Sequence, residues 1–487
     1  MTPAPLVVGF DLDMTLIDTR PGFAACLAVL GEEVGVEFDV ASLVEQLGPP
    51  LDVMLAPYLP DHDADRMQTL VDRFRELYPA TAVPPTIAFA GAHEALAAVR
   101  AHGGRTILIT GKYEPNARLH VDALRFDVDE VIGQVWGPGK GPVLAEHGAS
   151  VYVGDHVHDV EGALAAGILS VSVLTGGCTE EELVAAGTHA VLPDLAAFPA
   201  WLEEHLLTTR LTALEERLRE LGSVLVAFSG GADSAFLLAA AVRTLGSDRV
   251  AAATAYSGSL PQGERGPAAA FAESLGVRLL TPETHEMERE GYRRNDGDRC
   301  YHCKAELLDV LGPLAAEHGL AHVVTGTNAD DVVAGFRPGI RAAAERAAQT
   351  PLADAGITKA QVRAASRGWG LPTWDKPAAA CLSSRIAYGL EVTPAGLARV
   401  ERAEEAVRRT LAALGLDSDN VRVRDLGEEG SVELDREVVE RLADRPEDEE
   451  AVRRAVVEAG FPRTTVDPRG FRSGSMNERL AQPELFR

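Results

Sequence analysis

The chain has 487 residues, 46% of them hydrophobic and 24% charged, with a formal net charge of −27. That length is too great for one core, so two or three domains are expected. So acidic a balance argues against DNA or RNA as the main partner. Five widely spaced cysteines make no disulfide framework, and no apolar run approaches the roughly 18 residues that would cross a bilayer. A cytoplasmic protein working on small molecules is expected, with no membrane and no nucleic-acid partner.

Residues 6–10, Leu-Val-Val-Gly-Phe, form a short buried-strand pattern that ends in Asp11-Leu12-Asp13. Two carboxylates two apart at a strand end can converge on one metal and one phosphoryl group. Asp11 is then placed to attack phosphorus and Asp13 to shuttle a proton to the leaving group. Alone, such a pair is equally an acidic turn. Three later segments add to it. Residues 105–111 read as a strand ending at Thr110-Gly111. Lys140 lies in Gly137-Pro138-Gly139-Lys140-Gly141-Pro142, and residues 150–159 read as a strand ending in a loop with Asp155 and Asp159. A phosphoaspartyl intermediate needs such parts: a hydroxyl and an ammonium against the phosphate oxygens, and a further carboxylate for Mg²⁺.

In order and placement these four segments resemble the haloacid dehalogenase-like (HAD) hydrolases. The resemblance covers residues 1–205. It implies Asp11 as nucleophile, Asp13 as general acid and base, Thr110 and Lys140 as phosphate binders, and Asp11, Asp13, Asp155 and Asp159 around Mg²⁺. Residues from about 17 to 85 are helical in pattern and lie where that family places a substrate-selecting cap. Cys26 falls in an apolar helical stretch and reads as core; Cys178 lies outside the motifs. His156 and His158 read as exposed loop histidines.

An amphipathic helix begins near Thr209, and a domain boundary is expected near 206. Residues 224–238 then read as strand, tight loop and helix, the loop being Ser229-Gly230-Gly231-Ala232-Asp233-Ser234. Two glycines let backbone N–H groups turn toward a ligand, and the helix start adds its own N–H groups and dipole. This makes a nest for phosphate or pyrophosphate. No G-x-x-x-x-G-K-[ST] is present, so the loop is not the lysine-bearing P-loop. It resembles the PP-loop ATP pyrophosphatases, which cleave ATP between the α- and β-phosphates and adenylate an acceptor oxygen. Further strands are expected at 250–255, 277–280 and 322–325, the last running into Gly326-Thr327-Asn328-Ala329-Asp330-Asp331. Such strand ends gather at a nucleotide; ATP is expected on Ser229, Gly230, Gly231, Asp233, Ser234, Thr327 and Asn328.

Three further patches stand out: residues 294–304, with Cys300-Tyr301-His302-Cys303-Lys304; residues 376–389, with Cys381-Leu382-Ser383-Ser384-Arg385; and residues 470–474. Together with the loop they resemble the LarE-type pyridinium-3,5-biscarboxylic acid mononucleotide sulfurtransferases over residues 208–487. That family adenylates a substrate carboxylate and converts it to a thiocarboxylate on the way to the nickel-pincer nucleotide cofactor. Cys381 is the candidate on the sulfur side. Arg385, Arg422 and Arg424 offer planar forks for an anionic nucleotide, with Ser384 beside them and Glu404 as base or electrostatic partner. Arg422 and Arg424 alternate as on a strand and share a face. Each arginine is equally read as half of a surface ion pair.

Cys300, Cys303 and Cys381 suit a [4Fe–4S] cluster with one open iron, as in LarE-like proteins with three cysteines. Structural zinc, a Cys300–Cys303 redox disulfide and a Cys381 that gives up its own sulfur are the alternatives. The expected fold is α/β: two Rossmann-like parallel-sheet domains (1–205, with its cap, and 206–390) and a small α+β domain (391–487). Its charged residues 435–458 read as a solvated helical face. The expected protein is a homo-oligomeric bifunctional enzyme that takes nucleotide substrates: a Mg²⁺-dependent phosphohydrolase fused to an ATP-dependent sulfurtransferase forming AMP and pyrophosphate. A tRNA thiolase and a non-catalytic scaffold are the rivals.

Overall fold

The computed structural model describes residues 5–47, 49–58, 64–334, 338–377, 381–472 and 474–479. Ala378, Ala379 and Ala380 of the Cys381 stretch and Ser473 of the tail lie outside the described residues. The chain divides between Leu206 and Leu207 into two compact units. Both are α/β with parallel sheets.

The first unit contains β1 (Val7–Phe10), β2 (Ile17–Asp18), β3 (Ile87–Ala88), β4 (Arg105–Ile109), β5 (Glu130–Ile132), β6 (Val151–Gly154), β7 (Leu169–Val173) and β8 (Ala190–Leu192). Six of them form a parallel sheet in the order β5-β4-β1-β6-β7-β8. The apolar runs of β1 and β6 are buried throughout, because parallel strands are covered on both faces. Val8 and Phe10 join the core on one face and Val7 the core on the other. Gly9 between them leaves room for the Tyr152 ring: a Cβ there would lie 2.7 Å from it. β2 and β3 pair antiparallel at Ile17↔Ala88. Among the described residues between them lie the α-helices Arg20–Val34, Val40–Glu45, Leu51–Leu55 and Ala64–Thr81, with their own core of Phe23, Cys26, Leu30, Leu70, Phe74 and Tyr78. Cys26 is a core residue.

The second unit holds β9 (Val224–Ala227), β10 (Val250–Ala253), β11 (Arg278–Leu280) and β12 (His322–Thr325), parallel in the order β11-β10-β9-β12. A second sheet pairs β13 (Val421–Asp425) antiparallel with β14 (Glu429–Leu434), and β14 parallel with β15 (Arg463–Val466). Residues from 207 onward group as one unit, and the core beneath β13 and β14 takes Tyr292, Leu382 and Ile386 from before the expected boundary near 390. The charged segment 435–458 is likewise more than a solvated face. Its helices Arg436–Ala443 and Pro446–Glu458 bury Val438, Val439, Leu442, Val452 and Val456.

The amphipathic helix expected from Thr209 begins earlier, as one helix Phe198–Leu221. Pro199 sits in its first turn, where a missing N–H costs nothing. No later proline or glycine interrupts it. Among the described residues no helix is long and apolar enough to cross a membrane.

Candidate active sites

In the first unit β1 delivers Asp11 to the C-terminal edge of the sheet, where the Asp11 N–H donates to the Val153 carbonyl at 2.8 Å. Lys140, at the start of the helix Lys140–Glu146, is 2% exposed. Its ammonium donates to Asp11 Oδ1 at 2.7 Å, to Asp159 Oδ1 at 2.6 Å and to Tyr152 Oη at 2.8 Å. The Tyr152 hydroxyl in turn donates to the Ile109 carbonyl at 2.7 Å. Asp155 accepts from Thr15 Oγ1 at 2.8 Å. Asp159 Oδ2 accepts the N–H groups of Asp155 and His156 at 3.2 and 3.1 Å. Gly176 leaves a recess for Asp155, since a Cβ there would stand 1.9 Å from Oδ2.

Ligand oxygens of Asp11, Asp155 and Asp159 lie within 4.8 Å of one another, all three residues buried. Burial, opposed by Lys140 and reinforced by Asp159 and Asp13, pushes the Asp11 carboxyl up to about 7. Burial and Asp159 raise Asp155 well above the usual carboxylate range. Burial opposes the charge on Lys140, yet Asp11 and Asp159 outweigh it and raise its pKa well above the ordinary value. One ammonium among three buried carboxylates leaves negative charge in a low dielectric. A divalent cation that prefers oxygen donors fits that set, and Mg²⁺ is such a cation.

The structure brings three of the four expected metal ligands together. The Asp13 side chain lies outside that group, its Oδ1 2.8 Å from Lys112 Nζ. Lys112 also sits 5.0 Å above the Tyr78 ring of the helix Ala64–Thr81. Burial disfavours its charge, but Asp13 and Tyr78 raise its pKa overall. Sequence reasoning passed over Lys112, although it stands two residues after Thr110 in the same strand-end turn. Thr110 is buried, and its Oγ1 accepts the Lys112 N–H at 3.2 Å. His156 and His158, read as exposed, are half-buried. His156 caps the helix Val157–Ala166, its Nδ1 accepting the His158 N–H at 3.2 Å. Asp11, Asp13, Thr110, Lys140, Asp155 and Asp159 all line one cleft of about 620 Å³, which the helices between β2 and β3 also wall.

In the second unit β9 runs through Phe228 into the glycine loop, and Gly231 precedes the helix Ala232–Leu245. Gly230 holds φ 73°, a left-handed turn that glycine adopts without strain. The Ser234 hydroxyl donates to Gly231 O at 3.1 Å and accepts the Ser229 N–H at 3.2 Å. Lys376 donates to Gly230 O at 3.0 Å and to Glu264 at 2.6 Å. Ser229, Gly231, Asp233, Ser234 and Thr327 line a cleft of about 400 Å³. Asn328 stands behind it, donating to Asp233 Oδ1 at 3.2 Å and capping the helix Ala329–Val333. A Cβ on Gly326 would come within 2.9 Å of Ser234 N, so the end of β12 presses closely on the loop.

The same cleft is lined by Cys303, Lys304 and Cys381. Cys381 Sγ lies 3.0 Å from Ser383 Oγ. Burial raises the Cys303 pKa, and Cys381, Glu286 and Cys300 add to the rise; Cys300 itself is exposed. Burial pulls the Lys304 ammonium below its ordinary value. The thiols come from two distant segments of the chain, 300–303 and 381. Among the described residues their sulfurs do not fall together within 4.8 Å.

The arginines are not on the surface. Arg385, Arg422 and Arg424 are 2%, 5% and 7% exposed. Arg385 Nε donates to Glu404 Oε1 at 2.8 Å, and its Nη1 to Cys381 O at 3.0 Å and Ser384 Oγ at 3.1 Å. Arg424 donates to Glu433 at 2.9 and 2.7 Å, to Ser384 O at 3.3 Å and to Ser475 Oγ at 3.1 Å. Arg422 faces the Phe471 ring at 5.5 Å. Burial and then Arg385 lower its pKa to about 10. Arg422 and Arg424 share one face of β13, and Glu433 pairs with Arg422 in the strand register. Glu433 escaped the sequence because only strand pairing brings it to the arginines. None of these residues lines the 400 Å³ cleft; Arg385 touches it through the Cys381 carbonyl.

Over residues 8–164 the chain matches the haloacid dehalogenase-like hydrolases, and over residues 143–198 a HAD hydrolase-like family. It is 40% identical over 277 residues to an uncharacterized protein of Synechocystis, covering 57% of this chain and 100% of that one. It is 34% identical over 279 residues to the pyridinium-3,5-bisthiocarboxylic acid mononucleotide synthase of Lactiplantibacillus plantarum, covering 57% of this chain and 98% of that enzyme. A 5′-nucleotidase of Pseudomonas aeruginosa is 28% identical over 215 residues, covering 40% and 95%. The chain thus carries a haloacid dehalogenase-like hydrolase domain and, matching nearly the whole of the Lactiplantibacillus enzyme, belongs to the family of that synthase.

Proposed function

We propose that this enzyme joins an ATP-dependent sulfurtransferase to a Mg²⁺-dependent phosphohydrolase. The observation that carries the first half is a shared cleft: the glycine loop with Ser229 and Ser234 opens on the same space as Cys303 and Cys381. In this reading the substrate is a pyridinium dicarboxylate mononucleotide. Its carboxylate oxygen attacks the α-phosphorus of ATP, and pyrophosphate departs into the nest of loop N–H groups and hydroxyls. A sulfur nucleophile then attacks the acyl carbon, and AMP leaves. Lys304, its charge disfavoured by burial, is placed to gain from any anion bound in the cleft. Arg385, Arg422 and Arg424 are the candidates for the substrate's anionic groups, Arg385 bearing on the cleft through the Cys381 carbonyl, with Glu404 and Glu433 holding the forks of Arg385 and Arg424. Cys300, Cys303 and Cys381 would hold a [4Fe–4S] cluster, which when bound supplies a carrier for inorganic sulfide.

In the phosphohydrolase, Asp11 attacks phosphorus and Asp13, oriented by Lys112, moves the proton to and from the leaving oxygen. Thr110 and Lys140 hold the phosphate oxygens. Mg²⁺ on Asp11, Asp155 and Asp159 would neutralise charge there. The second half rests on the family match over residues 8–164 and on the buried carboxylate triad. Mass spectrometry of the mononucleotide after incubation with ATP, Mg²⁺ and sulfide tests the transferase. A mass gain of one oxygen-to-sulfur exchange is expected; an unchanged substrate with ATP consumed would rule the reading out.

A further inference from the structure

Thr110 and Lys140, the proposed phosphate binders of the first unit, line a cleft of about 620 Å³, a volume in the range that holds a whole organic ligand. Trp136 lines that cleft and is 36% exposed, which leaves part of the indole open to a ligand there. The loop that presents it is fixed. Gln134 holds φ 60°, a left-handed conformation that persists in a non-glycine residue only where the surroundings impose it. Here the Gln134 N–H donates to Lys112 O at 2.8 Å and the Val135 N–H to Thr110 O at 3.0 Å. The indole packs over the same turn, so closely that a Cβ on Gly111 would lie 3.4 Å from Trp136 Cδ1.

His158 braces the ring from behind, centroids 4.2 Å apart. Four residues beyond Trp136 in the chain stands Lys140, the ammonium assigned to the phosphate. The Gln134 side chain lines the same cleft and offers both an amide donor and an acceptor. A flat apolar face, a bidentate amide and a phosphate pocket therefore open on one space. Phosphate alone uses only the last of these.

We infer that the phosphohydrolase acts on mononucleotides: phosphomonoesters whose alcohol carries a planar heteroaromatic ring, stacked on Trp136 and hydrogen-bonded by Gln134. This rests on the phosphohydrolase reading and adds the substrate class. Asp11 forms a bond to phosphorus as the P–O ester bond breaks. The nucleoside oxygen takes its proton by way of Asp13, and water then releases orthophosphate from the aspartyl phosphate. Two mononucleotides meet this chemistry, AMP leaving the second unit and a pyridine mononucleotide of the kind it consumes.

The test measures kcat/KM of the full-length protein with Mg²⁺ for AMP, for nicotinate mononucleotide and for phosphoglycolate, which has no ring. Both ring-bearing esters, or one of them, should be preferred, and the better of the two names the source. Trp136→Ala should lower the ratio of mononucleotide to phosphoglycolate kcat/KM by about 10- to 100-fold, the range that stacking on an aromatic side chain supplies. Trp136→Phe should keep most of that ratio. A ratio unmoved in Trp136→Ala, or a preference for phosphoglycolate, overturns the inference while leaving the phosphohydrolase standing. Orthophosphate from none of the three overturns the phosphohydrolase reading and this inference with it.

Discussion

Mg²⁺ affinity should climb steeply as pH rises toward about 7. The perturbation is the protonation of Asp11, whose carboxyl is driven by burial from 3.8 to about 7 in the folded chain. A carboxyl raised on folding keeps its proton in the native state. The stability this lends is complete below about pH 4 and is lost as pH rises through about 7. A rise of roughly three units, at about 1.4 kcal/mol each, puts that loss near 4 kcal/mol. Asp155 is raised in the same direction and adds to it. Mg²⁺ competes with these protons for the same oxygens. Between about pH 5 and 7 its Kd should fall about tenfold per pH unit for each proton displaced. Titration calorimetry of the full-length protein with MgCl₂, without nucleotide, at about pH 5.5, 6.5 and 7.5 reads this directly, with Asp11→Asn as control. The unfolding transition that Mg²⁺ shifts should move further at high pH than at low. A Kd equal at all three pH values, or weaker at the highest, would refute the three-carboxylate site.

Other expectations follow from the same geometry. Lys140→Met should lower phosphohydrolase kcat by about 10²–10³-fold, and Asp11→Asn should reduce it to background, since an amide is a poor nucleophile; a phosphate-release assay decides both. Arg385→Met strands Glu404 in the interior and should destabilise the second unit by about 3–5 kcal/mol, read from its denaturant midpoint. By contrast Arg436→Ala, whose partner Glu440 is also exposed, should cost no more than about 1 kcal/mol. Anaerobic purification should give a brown protein with about four irons, lost in Cys300→Ala, Cys303→Ala or Cys381→Ala. A colourless protein that loses the elements of H₂S at Cys381 after one turnover would point instead to a sacrificial cysteine.

Strand ends were the most legible part of the chain. Asp11, Thr110, Asp155 and the 229–234 loop each follow a short apolar run, and a parallel sheet gathers such ends on one edge. The position of Lys140 was equally readable, because its glycine- and proline-rich surroundings set it off from the helix it opens. Lys112 and Glu433 were not. The role of the first depends on the Asp13 side chain turning away from the metal carboxylates. That of the second depends on the register of β13 against β14, which local sequence does not encode. The burial of the arginines was not legible. Their spacing gave a shared face, but nothing in Val421-Arg422-Val423-Arg424 says that the face is buried rather than wet. The helix Phe198–Leu221 was started too late because its first turn, with Pro199 and Trp201, lacks the charged spacing of the later turns.

The central claim is that the second unit activates a carboxylate by adenylation, and the products of ATP turnover test it most directly. Full-length protein carrying Asp11→Asn, so that the first unit consumes neither product, is incubated with ATP, Mg²⁺ and the pyridinium dicarboxylate mononucleotide, and the nucleotides are separated by chromatography. AMP and pyrophosphate in equal amounts are predicted, with Asp233→Ala suppressing both. ADP and orthophosphate as the products would contradict the account.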